Sequence, residues 1–203
     1  MALSILNYGM ANLRSVQKAF EQVGHPASLI TTPEEIASAD RLVLPGVGAV
    51  GGALRHIREQ HLEGPIVDFI RSGKPFLGIC LGLQMLMDVC HEGGEHKGFG
   101  IIAGDCVRFD VDTRLGLKVP HMGWNQIDIQ RPAPIFNDLP GRDVYFVHSY
   151  FVRPVDPGIV ATTTDYGESF VTSICRDNLF AVQFHPEKSQ AVGLKILENF
   201  AKQ

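Results

Sequence analysis

The sequence predicts a single α/β domain over residues 1–203, with a mostly parallel central sheet, helices on both of its faces and a β-rich C-terminal half. Three observations lead there. Up to about residue 90, short and continuously apolar runs alternate with helical periodicity, the pattern of parallel strands buried on both faces. From about Gly98 the texture changes to β-branched and aromatic runs separated by Pro, Gly and Asp-Asn turns. No repeat, low-complexity tract or linker divides the 203 residues, a length that suits one core.

The elements follow in order. Leu3 to Leu6 is an apolar strand ending in Asn7-Tyr8-Gly9, and Ala11 to Val23 places Leu13, Val16, Phe20 and Val23 at helical spacing before Gly24. A short strand spans Ser28 to Ile30. Thr32-Pro33-Glu34-Glu35 then reads as an N-cap, a first-turn proline and first-turn acids. Arg41 to Leu44 is a buried strand leading into a glycine-rich loop from Pro45 to Gly52, and helical patterns run on through Arg71. The strand Pro75 to Ile79 leads directly into a helix expected from Leu81 to about Cys90. The later strands are Val107 to Val111, Gln126 to Ile129, Val144 to Val152, Ile159 to Thr164, Phe170 to Cys175 and Leu179 to Phe184, with a hairpin turn at Arg176-Asp177-Asn178. A last helix covers about Gln190 to Ala201.

Composition excludes several functions. With 18 Lys+Arg against 22 Asp+Glu the net charge is −4, and no basic run offers the footprint that nucleic acid requires. The first residues lack the parts of a signal peptide, and no apolar run approaches a membrane span, so a cytoplasmic protein is expected. Four scattered cysteines are too few for a disulfide scaffold and lack metal-ligand spacing. No metal or cofactor is expected.

Chemistry concentrates in three places. Gly78-Ile79-Cys80-Leu81-Gly82 sets a thiol at a strand-to-helix junction between two glycines, the thiol version of a nucleophile elbow. The start of a helix there favours a thiolate. Phe184-His185-Pro186-Glu187 ends another apolar strand, and a histidine oriented by a carboxylate can serve a thiol as general base. Open α/β sheets collect their sites at the carboxyl ends of strands, so Cys80, His185 and Glu187 read together as a triad. The third place is Pro45-Gly46-Val47-Gly48, whose backbone N–H groups, with that of Leu81, suit an oxyanion. A phosphate loop is disfavoured because no Gly-Lys-Ser/Thr follows.

These motifs resemble the class I glutamine amidotransferases, and within them the glutaminase subunits of imidazole glycerol phosphate synthase from histidine biosynthesis. The narrower likeness rests on Asn7-Tyr8-Gly9-Met10-Ala11-Asn12, Pro45-Gly46-Val47-Gly48, Pro120-His121-Met122-Gly123-Trp124-Asn125, Tyr145-Phe146-Val147-His148-Ser149-Tyr150 and His185-Pro186-Glu187-Lys188-Ser189, in order along nearly the whole chain. Two positions depart from the family pattern: Asn7, where Asp is frequent, and Ala11, where Gly is usual. The resemblance implies a three-layer, flavodoxin-like or Rossmann-like fold. It also implies hydrolysis of glutamine through a thioester on Cys80, with Val47, Gly48 and Leu81 around the oxyanion. Gln84, Glu92, Ser149, Tyr150 and Gly46 would hold the substrate. The implied partner is a cyclase subunit of (β/α)₈-barrel type that receives ammonia, met by Asn12, Trp124, Tyr145 and Lys188.

Plainer readings compete residue by residue. Trp124, Tyr145, His121 and His148 could fill the core, Lys188 could be a solvated charge, and His25, His56, His61, His91 and His96 read as surface residues. Cys90, Cys106 and Cys175 read as structural. Rival functions are a glutaminase serving anthranilate or pyridoxal phosphate synthesis, a catalytically silent module of the same fold, and a cysteine peptidase.

Overall fold

The computed structural model describes residues 2–111, 114 and 116–203. Its first half contains β1 (Leu3–Leu6), α1 (Leu13–Gln22), β2 (Ser28–Ile30), α2 (Pro33–Ser38), β3 (Arg41–Gly46), α3 (Val50–Glu59), α4 (Glu63–Arg71), β4 (Phe76–Cys80) and α5 (Leu81–Gln84). There follow β5 (Met87–Cys90), β6 (His96–Lys97), β7 (Ile102–Arg108), β8 (His121–Gln126), β9 (Asp128–Ile129), β10 (Asp143–His148) and β11 (Tyr150–Pro154). The chain ends with β12 (Val160–Asp165), β13 (Ser169–Arg176), β14 (Leu179–Val182) and α6 (Gln190–Ala201).

The large sheet runs β2-β1-β3-β4-β14-β13-β11-β7-β5-β6. Its first five strands are parallel, and antiparallel pairing begins where β13 joins β14. Alternate residues of the parallel strands feed two cores. Leu42, Leu44 and Phe76 pack on one face with Leu54, Ile57, Ile66 and Phe69 from α3 and α4. On the other face Val43, Leu77 and Ile79 join Val16 and Phe20 of α1 and Ile196 and Phe200 of α6. This is the three-layer arrangement expected. The predicted caps also form: Thr32 and Glu35 make a reciprocal capping box at the start of α2. Among the described residues no helix is long and apolar enough to cross a membrane.

Three expectations need correction. The helix expected from Leu81 to about Cys90 stops after one turn at Gln84, and Met87–Cys90 becomes a strand paired with β7. The carbonyls of Met85, Leu86 and Met87 are taken by the N–H groups of Phe99, Ile101, Ile102 and Gly100. Gly98 permits this approach, since a Cβ there would lie 2.1 Å from the Met87 carbonyl oxygen. A short buried apolar run carries no periodicity that separates helix from strand. The strand expected over Val144–Val152 divides at Ser149: β10 pairs with β8 in a separate two-stranded sheet, while β11 returns to the main sheet. Finally, Pro45 and Gly46 belong to β3, with Gly46 opposite Cys80.

The β4–α5 junction explains its glycines. Cys80 adopts φ 54° and ψ −106°, and the chain turns directly from strand into helix. A Cβ on Gly82 would lie 2.0 Å from the Leu44 carbonyl oxygen, and one on Gly78 would lie 2.7 Å from that of Gly82. The backbones of β3, β4 and α5 thus touch without side chains between them.

Behind the two-stranded sheet lies an aromatic cluster that includes two buried histidines. The His121 ring stacks on Tyr166 at 3.9 Å and on Phe146 at 4.7 Å, and His148 lies 5.2 Å from Phe109. Burial pushes His121 down to about 4 and His148 to about 3, the latter against the bond from its Nδ1–H to Tyr150 O at 2.8 Å.

Two predictions follow from this packing. Gly82→Ala should lower stability by about 1–3 kcal/mol or more, because the new methyl meets backbone rather than a movable side chain; an unchanged urea midpoint would contradict the close approach. Both histidines bind protons more weakly folded than unfolded, where an imidazole titrates near ~6.5. Their contribution is therefore complete above that pH and is lost as pH falls toward 4. His121→Phe should flatten the loss of the urea midpoint between pH 7 and 4.5, and a slope equal to that of the unsubstituted chain would count against the assignment.

Candidate active site

The site lies at the carboxyl ends of β3, β4 and β14. Because β14 runs parallel to β4, with Val182 opposite Ile79, the chains leaving the two strands emerge side by side. Cys80 and His185 meet there, both almost fully buried. Glu187 Oε1 accepts a 2.8 Å hydrogen bond from His185 Nδ1, and both side chains are sealed from solvent. Among the described residues the other oxygen of Glu187, Oε2, has no hydrogen-bond partner, so the hydrogen bond of this carboxylate is the one to His185. Burial alone would push the His185 imidazolium down. Hydrogen bonds with Cys80 and Glu187, and the charges of both, outweigh it and lift His185 to about 10. The arrangement therefore favours an imidazolium beside the sulfur, as a thiolate nucleophile with a proton donor at hand requires.

The backbone around His185 is tied down. Its N–H donates to Tyr145 O at 2.9 Å, and its own carbonyl accepts from Ser189 Oγ at 2.6 Å. Ser189 Oγ in turn receives the Tyr145 N–H at 2.9 Å. The chain after β14 is thereby fastened to β10, which belongs to the other sheet.

Cys80 and His185 open on a cavity of about 370 Å³, near the lower end of the roughly 300–1,000 Å³ of small-molecule pockets. Most residues singled out from the sequence line it: Asn12, Val47, Gly48, Leu81, Gln84, Glu92, Ser149, Tyr150 and Lys188. Leu81 opens α5, so its N–H has no intrahelical acceptor. Gly48 has φ 93°, a conformation that favours glycine. Gln84 Nε2 donates to Tyr150 O at 3.1 Å. Glu92 Oε2 accepts the Val50 N–H at 2.7 Å and so caps α3 while facing the cavity.

Two expected placements differ. Val47 donates its N–H to Met10 O at 3.2 Å, so in this conformation that group is not free to meet an oxyanion. Gly46 does not reach the cavity; it lies against Leu81 and the Tyr8 hydroxyl, where a Cβ would lie 2.7 and 2.5 Å from them. The pairing of Gly46 with Cys80 inside the parallel sheet places it there.

Trp124 and Tyr145 stand outside the cavity on the two-stranded sheet, opposite each other in register, with rings 6.0 Å apart. Lys188 Nζ lies 5.8 Å over the Tyr145 ring, linking this surface to the cavity mouth. Trp124 is 49% and Met122 62% exposed, so neither fills the core. His148 lines the cavity although the sequence favoured a core role, and it does both. Cys90, Cys106 and Cys175 are buried thiols. Among the described residues no group of three or more His, Cys, Asp or Glu side chains is placed to hold a metal.

One residue escaped the sequence reading. Gln183 is fully buried within the run Phe180–Phe184 and touches both Cys80 and Gln84. A polar side chain in an apolar run that must be buried needs partners, and that was the available signal.

Comparisons with known proteins agree with this geometry. The family model for "Glutamine amidotransferase class-I" matches residues 4–203. The chain is 56% identical over 200 residues to the imidazole glycerol phosphate synthase subunit HisH of Syntrophotalea carbinolica, covering 97% of each chain. To the HisH of Aquifex aeolicus it is 52% identical, covering 100% of this chain and 97% of the relative. Among solved structures, a glutamine amidotransferase superposes with a TM-score of 0.76 at 16% identity over all of both chains. PurLQS from Thermotoga maritima gives a TM-score of 0.74 at 16% identity, covering 100% of this chain and 99% of that one. The solved structures establish the fold alone, whereas the family model and the full-length relatives establish kinship. The chain belongs to the class I glutamine amidotransferases, in the family of the HisH subunits of imidazole glycerol phosphate synthase.

Proposed function

We propose that this chain hydrolyses glutamine to glutamate and ammonia and passes the ammonia to a cyclase subunit that makes imidazole glycerol phosphate and AICAR. The observation that carries the reading is the contact of Cys80 with His185 and of His185 with Glu187, beside a cavity of about 370 Å³ that Cys80 and His185 line. In the first half-reaction the Cys80 thiolate attacks the side-chain amide carbon of glutamine. The His185 imidazolium gives its proton to the departing nitrogen, which leaves as ammonia. The resulting glutamyl thioester is then attacked by water. Neutral His185 takes a proton from that water, glutamate leaves, and the thiolate faces an imidazolium again.

Glu187 holds the imidazole by Nδ1, keeping Nε2 toward the sulfur. Leu81 and Gly48 are the backbone donors proposed for the negative oxygen of the tetrahedral intermediate, with the Val47 N–H joining them once it is released from Met10 O. Gln84, Glu92 and the backbone at Ser149 and Tyr150 would hold the amino acid end of glutamine, a reading supported by their place on the cavity wall.

A partner follows from the chemistry of the product. In neutral water ammonia is largely ammonium, which is no nucleophile, so it must be handed over away from solvent. The partner surface would be built from Trp124 and Tyr145 with Lys188 and Asn12 at the cavity mouth, and the receiving subunit would be a (β/α)₈ barrel. The exposure of Trp124, its contact with Tyr145 and the place of Lys188 over the Tyr145 ring and on the cavity lining support this surface.

Cys80→Ala should abolish glutamine-dependent synthesis by the complex while leaving synthesis from added ammonium salt intact, since the thiol only releases ammonia. Loss of both activities, with the complex still assembled, would assign Cys80 a structural role instead. The bond from Val47 N–H to Met10 O motivates a second expectation, that the turn at Val47 and Gly48 after β3 is held short of a complete oxyanion site in the free subunit. Losing one such donor typically costs about 10²–10³ in rate. Glutamine turnover by the isolated chain should be lower by that order than turnover in the complex with the cyclase's ligand bound, and equal rates would overturn the expectation.

A further inference from the structure

We infer that Gln183 is a positioning residue for the Cys80 thiolate and for the substrate-facing Gln84 at once, an inference that rests on the glutaminase reading of this site. Gln183 follows β14, two residues before His185, and is fully buried. Its backbone N–H is fastened to Thr172 O on β13 at 2.8 Å. Its side chain reaches both ways: Nε2 lies 3.7 Å from Cys80 Sγ, and Oε1 accepts from Gln84 Nε2 at 3.1 Å.

The direction of this chain of bonds is forced. A backbone carbonyl can only accept, so the end of Gln84 that meets Tyr150 O must be its NH₂ group. That same NH₂ group meets the Gln183 amide, which must therefore present its oxygen there. The Gln183 NH₂ group is left facing the sulfur. Turning the amide over would set donor against donor at Gln84 and an oxygen against a thiolate at Cys80, two unfavourable contacts inside a buried network. Cys80 Sγ consequently receives a donor from Gln183 in addition to His185. Charge-assisted hydrogen bonds are stronger than neutral ones, so a buried amide N–H favours the thiolate over the thiol. The same amide also holds Gln84 in the cavity wall, coupling the nucleophile's charge to the orientation of the substrate pocket.

The test uses the full-length chain and the pH dependence of Cys80 alkylation by iodoacetamide, followed by mass spectrometry of the Cys80 peptide. Gln183→Met keeps the volume and removes the donor; Gln183→Glu keeps the shape but sets an acceptor-only carboxylate against the sulfur. Both should move the acid limb of the alkylation profile to higher pH, with the rate at a fixed pH on that limb falling roughly tenfold for a displacement of one pH unit. Glutamate should have the larger effect. The urea midpoint is measured alongside, and a variant that fails to fold leaves the other to decide. Profiles that overlay that of the unsubstituted chain, in a folded variant of lowered midpoint or not, would reduce Gln183 to a packing residue and overturn the proposal. Failure of the unsubstituted Cys80 to react with a glutamine-analogue electrophile in the assembled complex would instead overturn the glutaminase reading.

Discussion

The close contact of three backbones at the end of β4 is the constraint on which the rest of the site depends. Cys80 sits at φ 54°, a region that a residue with a Cβ enters at a cost of about 1–3 kcal/mol and only when its surroundings hold it there. Gly78 and Gly82 are those surroundings, since they let the Gly82 backbone of α5 rest directly on the Leu44 carbonyl of β3 and on Gly78 of β4. The strain is offset by the two cores that clamp β3 and β4 from both faces. The thiol is thereby carried clear of the sheet, at the start of a helix and at the edge of the cavity.

A second dependence is topological. His185 meets Cys80 because β14, late in the chain, returns to lie parallel beside β4. The β-rich half makes this possible: β13 turns the chain back through a hairpin at Asp177, which adopts φ 52°, and β14 enters the sheet in the parallel direction. Ser149 divides β10 from β11, so that β11 enters the main sheet between β13 and β7 while β10 forms the small sheet bearing Trp124 and Tyr145. The proposed partner surface is fastened to the triad through the Ser189 hydroxyl and the Tyr145 backbone. A displacement of the small sheet would therefore act on the backbone that carries His185.

Much of this was legible in the residues. The apolar runs of the parallel strands, the Thr32 capping box and the final helix Gln190–Ala201 appear where local chemistry places them, because each signal is contained in a few neighbouring residues. Cys80 and the His185-Pro186-Glu187 segment were legible for a different reason: each motif is weak alone, but both fall at the carboxyl ends of apolar strands, where an α/β sheet collects its site. The segment Leu81–Cys90 was not legible, because its conformation depends on residues 98–102 supplying hydrogen-bond donors from outside it. Gly46 failed as a wall residue for the same kind of reason, its register beside Cys80 being a property of paired strands.

The amino-acid order was thus sufficient for the fold class, for the proposed nucleophile with its base and carboxylate, and for most of the residues that line the cavity. Those features rest on periodicity, on capping and on residue types whose chemistry is intrinsic. The folded structure alone settled that the Val47 N–H is spent on Met10, that Glu92 caps α3, that Ser189 ties the two sheets together and that Gln183 bridges Cys80 and Gln84. Each of these is a hydrogen bond between segments remote in the chain. Its direction follows from which acceptors the packing brings within 4 Å and leaves unsatisfied, a quantity that no local pattern of residues contains.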